Sequence, residues 1–221
     1  AGGCPDPDGD DIPSRFSSVD LSYVTQGETA LQRALGILQQ HTGWQAETVP
    51  DTRATVSSAG LPGLGKVFRA EVVLAVPVAQ LYHELFERIE QMPQWNPALS
   101  QVKVLQRVGT DTLVTHEVTA PSPGNLVGQR DFVSVRHRGR RETAVYLVGT
   151  ATHAEPLPSQ EGCIRTGSLW DGHPKPSPTA FGVFSPPKGW IPTSVLHRLL
   201  PRSQADFIKH LRRHLSAPLH P

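Results

Sequence analysis

The 221-residue sequence has few cysteines, few charged residues and no long apolar run. Its two cysteines, Cys4 and Cys163, are too few for a disulfide framework or for a zinc site of their own. No run approaches the roughly 18 apolar residues that a transmembrane helix needs. The formal net charge is +1, so the overall charge gives no drive toward nucleic acid, which we do not expect as a partner.

Proline, by contrast, is in excess, and its distribution is uneven. Of 21 prolines, eight lie within residues 156–192. Because proline cannot donate a backbone hydrogen bond to a neighbouring strand, this region is predicted to be poor in strands. Only residues 163–166 and 180–184 are predicted there as short strands. The predicted organisation is a disordered lead-in at 1–18, a domain at 19–215 with an atypical stretch at 166–187, and a tail at 216–221.

The remaining pattern predicts an α+β domain. Apolar residues recur at helical spacing over 19–40, 78–91 and 193–215, and Pro201 should kink the last helix or break it in two. Residues 50–65, rich in Ser, Gly and Pro, are predicted as a loop. Strands are predicted at hairpin spacing, which favours an antiparallel sheet that curves on itself, over residues 66–76, 99–108, 112–120, 131–138 and 144–151.

Two opposite charges stand out on these strands. By the period of two, Glu117 shares a face with Leu113, and Arg136 shares a face with Phe132. If both faces point inward, the pair would lie in an apolar interior, where an ion pair adds little stability but can orient a polar group of a ligand. An exposed cross-strand pair is the alternative, and the pattern alone leaves both open.

Other motifs carry weaker signals. Arg130 and Asp131 open a strand after a glycine-rich turn, and we interpret them as tying down that loop. His210 and His214 have the i, i+4 spacing of metal ligands, but a solvated basic helix end is the favoured interpretation, and no metal site is predicted. Thr143 fits a short pattern for basophilic kinases. No nucleophile–base motif, P-loop or dinucleotide-binding glycine set is present, so we expect no enzyme.

Several strings together resemble the START lipid-transfer domain family. They include QWNP at 94–97, THE at 115–117, KGWIP at 188–192 and HLR at 210–212. The string NLVGQRDFVSVR at 125–136 is long and in register with the others. The resemblance covers roughly residues 19–165 and 188–215.

The resemblance implies a helix-grip fold, in which a curved antiparallel sheet surrounds a lipid tunnel and the C-terminal helix closes it as a lid. The tunnel would hold one cholesterol, with no other cofactor. The protein would act as a monomer on the mitochondrial outer membrane, in steroid hormone synthesis, with any targeting segment outside this sequence.

The family's functional positions fall on the following residues of this sequence. Its buried acid–arginine pair falls on Glu117 and Arg136, and its tunnel lining falls on Met92 and Leu147. Its strand-opening arginine falls on Arg130, and its kinase site on Thr143. Its lid contacts fall on one face of the last helix, at Leu200, Phe207, Leu211 and Leu215.

The atypical stretch at 166–187 is a departure from the family. The family has two tunnel-closing strands there with a lining histidine, for which His173 is the nearest candidate, although we do not assign it that role. Two further functions therefore remain open. One is a START domain for another lipid, such as an oxysterol, a bile acid or a phospholipid. The other is a degenerate interaction domain that no longer binds lipid.

Overall fold

The structure is a computed structural model in which α-helices and one antiparallel sheet enclose the core. It describes residues 16–40, 42–49, 54–62, 65–121, 129–141, 144–152 and 201–217. It also describes the backbone alone of residues 164–165, 169–175, 179–185 and 193–200. Within these residues, no helix is both long and apolar enough to cross a membrane.

Two long helices frame the chain. Helix α1 (Ser18–Leu38) begins with a capping box, in which the Ser17 side chain accepts from the Asp20 backbone N–H and the Asp20 carboxylate accepts from Ser17. The C-terminal helix α3 (Thr193–Ser216) contains Pro201 and continues through it, so of the two predicted outcomes, a kink or a break, the break does not occur. Burial of Ala205, Ile208 and Leu211 along this helix offsets the hydrogen bond that proline removes.

The predicted helix over 78–91 is divided into three short pieces. These are α2 (Val78–Tyr82), a π-helical turn (His83–Glu87) and a 3-10 turn (Ile89–Gln94). Leu81 and Phe86 are five residues apart and both are buried. A π turn places residues at this spacing on the same side, so the wider turn lets both contact the core.

The strands among the described residues are β1 (Gln45–Ala46), β2 (Thr55–Leu61), β3 (Gly65–Val73), β4 (Leu99–Val108), β5 (Thr112–Thr119), β6 (Arg130–Arg141), β7 (Ala144–Ala151), β8 (Ile164–Arg165), β9 (Leu169–Lys175) and β10 (Thr179–Ser185). They form a sheet in the order β1-β2-β3-β10-β9-β7-β6-β5-β4, with every neighbouring pair antiparallel. The short strand β8 pairs with β6 in parallel off this path.

Strand β2 lies where the sequence predicted a loop. Its Ser and Gly residues resemble turn composition, yet it pairs with β3 along its whole length, and Val56, Ala59 and Leu61 are buried. Backbone pairing with β3 and the burial of one face stabilise this strand, although its Ser and Gly residues have low intrinsic strand propensity. The loop prediction for these residues is wrong.

The proline-rich stretch also contributes to the sheet. Strands β9 and β10 connect β7 to β3, so the prediction that only 163–166 and 180–184 would form strands there is wrong for Leu169–Lys175. Pro174 lies opposite Ala180 of β10, beyond the last residue of β9 that pairs with β7. Proline is tolerated at such a position because no second strand needs its backbone N–H.

Helix α1 packs closely against one face of β6. His137 of β6 is buried, and its ring nitrogens hydrogen-bond to the Thr112 hydroxyl at 2.9 Å and to the Glu28 carboxylate at 3.1 Å. Gly27 of α1 faces His137, and Gly139 of β6 faces Leu31 of α1. Helix and strand therefore approach at two positions where only glycine leaves enough room.

This contact predicts that Gly27→Ala destabilises the fold. A Cβ at Gly27 would lie 2.5 Å from the Cβ of His137, whereas a Cβ at Gly36 of the same helix meets nothing within 4 Å. Urea unfolding should show Gly27→Ala to be less stable by about 1–3 kcal/mol, the usual cost of overpacking. The control Gly36→Ala should be stabilised by up to about 1 kcal/mol through helix propensity. Equal stabilities for the two variants would contradict the close approach.

Candidate functional site

A cavity of about 590 Å³ lies between α3 and the sheet, within the volume range of ligand pockets. Strands β5 and β6 form one wall, α3 forms the opposite wall, and the segment around the start of β4 forms a third side. The lining residues are Met92, Asn96, Pro97, Ala98, Leu99, Glu117, Thr119, Phe132, Arg136, Ser203, Gln204, Asp206, Phe207 and His210.

The sheet wall carries a buried ion pair between Glu117 and Arg136. Each residue is 8% exposed, so the alternative of a solvent-exposed pair is wrong. Arg136 Nε donates to Glu117 Oε1 at 3.0 Å, and Arg136 Nη2 donates to both carboxylate oxygens at 2.7 Å. The Thr115 hydroxyl also donates to Glu117 Oε1, at 2.9 Å.

The pair is diagonal across the strands rather than directly opposed. Glu117 pairs in register with Phe132, and Arg136 pairs with Leu113. The long arginine side chain therefore reaches along the inner face to the carboxylate. Glu117 Oε1 accepts three of the hydrogen bonds within the described chain, while Oε2 accepts one. Since a carboxylate oxygen has two lone-pair sites, Oε2 can accept another hydrogen bond from a ligand.

Aromatic contacts hold α3 over the cavity. The Phe207 ring lies 5.7 Å from the ring of Trp95, and the His214 ring stacks on Trp95 at 5.2 Å. His214 Nε2 is also 2.8 Å from the Glu84 carboxylate. His214 is thus partly exposed and also packed against neighbours, in contrast to the fully solvated helix end that the sequence predicted for it. No cluster of three potential metal ligands occurs within the described residues.

Of the other predicted lining and lid residues, Met92 and Phe207 line the cavity. Leu147 and Leu211 are buried in neighbouring hydrophobic clusters and are not among the residues that line it. Leu215 borders a separate groove beside the end of β3. The side chains of Leu200 and His173, and the whole of Thr143, lie outside the described residues.

Arg130 and Asp131 point to opposite faces of β6 and do not pair with each other. Asp131 is fully buried, and its carboxylate lies 3.0 Å from His116 Nε2 on β5. Arg130 is buried on the other face, and its backbone N–H donates to the Thr119 hydroxyl at 2.9 Å. Burial lowers the pKa of the Arg130 guanidinium from its usual value. The loop that these residues were predicted to tie down lies outside the described residues.

The sequence reasoning missed Asn96 and Gln204, two buried amides in the cavity lining. Gln204 lies three residues before Phe207 and four after Leu200, on the predicted apolar face of the last helix. A polar residue within that stripe was a signal available in the sequence. Asn96 lies within the QWNP string, which by composition indicates only a turn.

Comparison with known proteins finds similarity over most of the chain. A profile of the START domain family matches residues 25–218. The mitochondrial steroidogenic acute regulatory protein of Gallus gallus is 44% identical over 209 residues, which cover 91% of this chain and 74% of that protein. Its Homo sapiens counterpart is 42% identical over 210 residues, with the same coverage.

Two solved structures share the fold. Human StAR-related lipid transfer protein 5 matches with a TM-score of 0.74 at 18% identity, over 88% of this chain and 96% of that one. A STAR-related lipid transfer protein from Xanthomonas axonopodis matches with a TM-score of 0.65 at 20% identity, over 80% and 100%. The predicted α+β helix-grip fold is therefore confirmed.

The ion pair predicts a specific stability pattern. Arg136→Met should lower the free energy of unfolding by about 3–5 kcal/mol, because Glu117 then remains as an uncompensated buried charge. Adding Glu117→Gln removes that charge while the Thr115 hydroxyl keeps its acceptor, so the double variant should regain most of the loss in urea unfolding. Additive losses in the double variant would argue against a coupled buried pair.

Proposed function

The chain belongs to the START domain family, and we propose that it is a non-enzymatic sterol carrier that binds one cholesterol in the cavity beneath α3. We further propose that it delivers this sterol to mitochondria for steroid hormone synthesis. The observation that carries the proposal is the Glu117–Arg136 ion pair, which faces the cavity from the sheet wall.

The cavity suits a largely apolar ligand with one small polar group. Side chains such as Met92, Leu99, Phe132 and Phe207 provide apolar contact, and burial contributes roughly 25 cal/mol per Å² of apolar surface. The ring hydroxyl of the sterol would donate to Oε2 of Glu117, which retains accepting capacity, directly or through a water molecule. The pair thus sets the orientation of a ligand that the apolar walls hold.

Entry and release require α3 to move, since it forms one wall of the cavity. Along this helix Lys209 and Arg213 are exposed, while Leu211 is buried. An amphipathic helix with exposed basic residues is attracted to anionic membrane surfaces. Contact with such a surface would favour the open state, provided that α3 binds the membrane better when it has left the sheet.

The mitochondrial destination rests on the relatives, two of which are named as mitochondrial and as acute regulators of steroid synthesis. The identity to them supports the same destination here. We propose action as a monomer at the outer membrane surface, with cholesterol as the bound ligand and no other cofactor. The competing interaction-domain hypothesis assumed an incomplete sheet, and the pairing of β9 with β7 and of β10 with β3 supports the carrier proposal over it.

Sterol binding by the cavity can be tested by filling it. Leu99 lines the cavity, whereas Lys103, on the same strand, is exposed and pairs in register with His116. Leu99→Trp should lower binding of a fluorescent sterol at least tenfold, while Lys103→Trp should bind one sterol per chain as the wild type does. Equal binding by both variants, or none by the wild type, would rule out this cavity as the sterol site.

The proposed membrane step makes a separate prediction. Lys209→Glu should slow sterol transfer between anionic vesicles at least about fivefold, since each basic residue near such a surface contributes about 1 kcal/mol. Sterol binding without vesicles should not change. Arg33→Glu is a charge-matched control on α1, where Arg33 is exposed. If both variants transfer sterol at the same rate, α3 is not the membrane-contacting element.

A further inference from the structure

The cavity has polar groups on a second side, away from the ion pair. Gln204 of α3 is 7% exposed and Asn96, between the 3-10 turn and β4, is 6% exposed, and both line the cavity. They extend from α3 and from the segment before β4, whereas Glu117 and Arg136 extend from the sheet. A ligand in the cavity would therefore meet hydrogen-bonding groups from two different walls.

The hydrogen bonds of these two amides are incomplete. Asn96 Oδ1 accepts from the Ala98 backbone N–H at 3.2 Å. Within the described chain, neither the Asn96 side-chain NH₂ nor the amide of Gln204 has a hydrogen-bond partner. A primary amide offers two donors and one acceptor oxygen. Within the described residues, the polar atoms of these two amides are not among the fully buried side-chain atoms that lack a partner, so water or a ligand in the cavity can reach them. The ion pair, in contrast, already holds its two members in mutual hydrogen bonds.

The charges around the amides select among ligand classes. Asp206 is exposed and lines the cavity from the same helix as Gln204, so its carboxylate weakly disfavours an anionic group beside it. The amides themselves are neutral and can both donate and accept, which matches a hydroxyl or a ketone. This chemistry disfavours the carboxylate of a bile acid and the phosphate of a phospholipid as the group bound there.

We propose that Gln204, assisted by Asn96, is a specificity-determining residue that binds a second oxygen function of the ligand. The preferred ligand is then an oxysterol, with a hydroxyl or keto group in addition to the ring hydroxyl that the ion pair binds. This proposal rests on the proposed sterol-carrier function, and it makes an oxysterol, rather than the cholesterol named above, the preferred ligand of the same cavity. A net hydrogen bond made only by the oxysterol would give a preference of about twofold to tenfold over cholesterol.

The test measures competition by cholesterol, 25-hydroxycholesterol and 7-ketocholesterol against a bound fluorescent sterol. For the wild type, at least one of the two oxysterols should bind several-fold more tightly than cholesterol. Gln204→Met keeps the length of the side chain and removes its hydrogen-bonding groups. It should bring that ratio close to one while cholesterol affinity stays within about twofold.

Gln32→Met is the matched control, because it makes the same substitution on a helix at an exposed residue that does not line the cavity. It should keep the wild-type preference. An unchanged oxysterol preference in Gln204→Met would overturn the proposal. Equal losses of affinity for cholesterol and for the oxysterols would also overturn it, because Gln204 would then bind the ring hydroxyl that all three sterols share. Failure of every sterol to bind the wild type would instead overturn the sterol-carrier function itself.

Discussion

Successive side chains of strand β6 face opposite sides of the sheet. One side packs against α1, and the other side faces the cavity. His137 points to one face, where it contacts α1 and hydrogen-bonds to Thr112 and Glu28. Its neighbour Arg136 points to the other face, where it holds Glu117 at the cavity beneath α3. Because adjacent residues of a strand must face opposite ways, the tight α1 contact also fixes which β6 side chains reach the ligand.

A buried ion pair such as Glu117–Arg136 contributes little net free energy to stability. Two charges removed from water recover little more than their desolvation cost, and apolar residues of similar volume would stabilise the sheet equally well. Its position in the cavity wall therefore favours a role in ligand orientation. The amide of Gln204, which has no hydrogen-bond partner among the described residues, fits the same logic, because a ligand can supply hydrogen bonds to it.

Sequence patterns predicted the elements whose periodicity is strong, and the long strands of β4 to β7 and helix α1 lie close to the predicted bounds. They also placed Glu117 and Arg136 on strands, but the inward direction came only from the family resemblance. Strands β2 and β9 were missed because Ser, Gly and Pro resemble loop composition, and their pairing depends on partners distant in the chain. The π turn and the diagonal geometry of the ion pair likewise depend on tertiary packing, which no local pattern contains.

The central claim is that one sterol occupies the cavity beneath α3. Photocrosslinking with a diazirine-bearing cholesterol analogue, followed by peptide mapping, tests it most directly. The account predicts about one label per chain, and excess cholesterol should prevent the labelling. The labelled peptides should contain cavity residues, within 92–99, 132–136 and 203–210. Labelling that maps elsewhere, or that excess cholesterol does not compete, would contradict it.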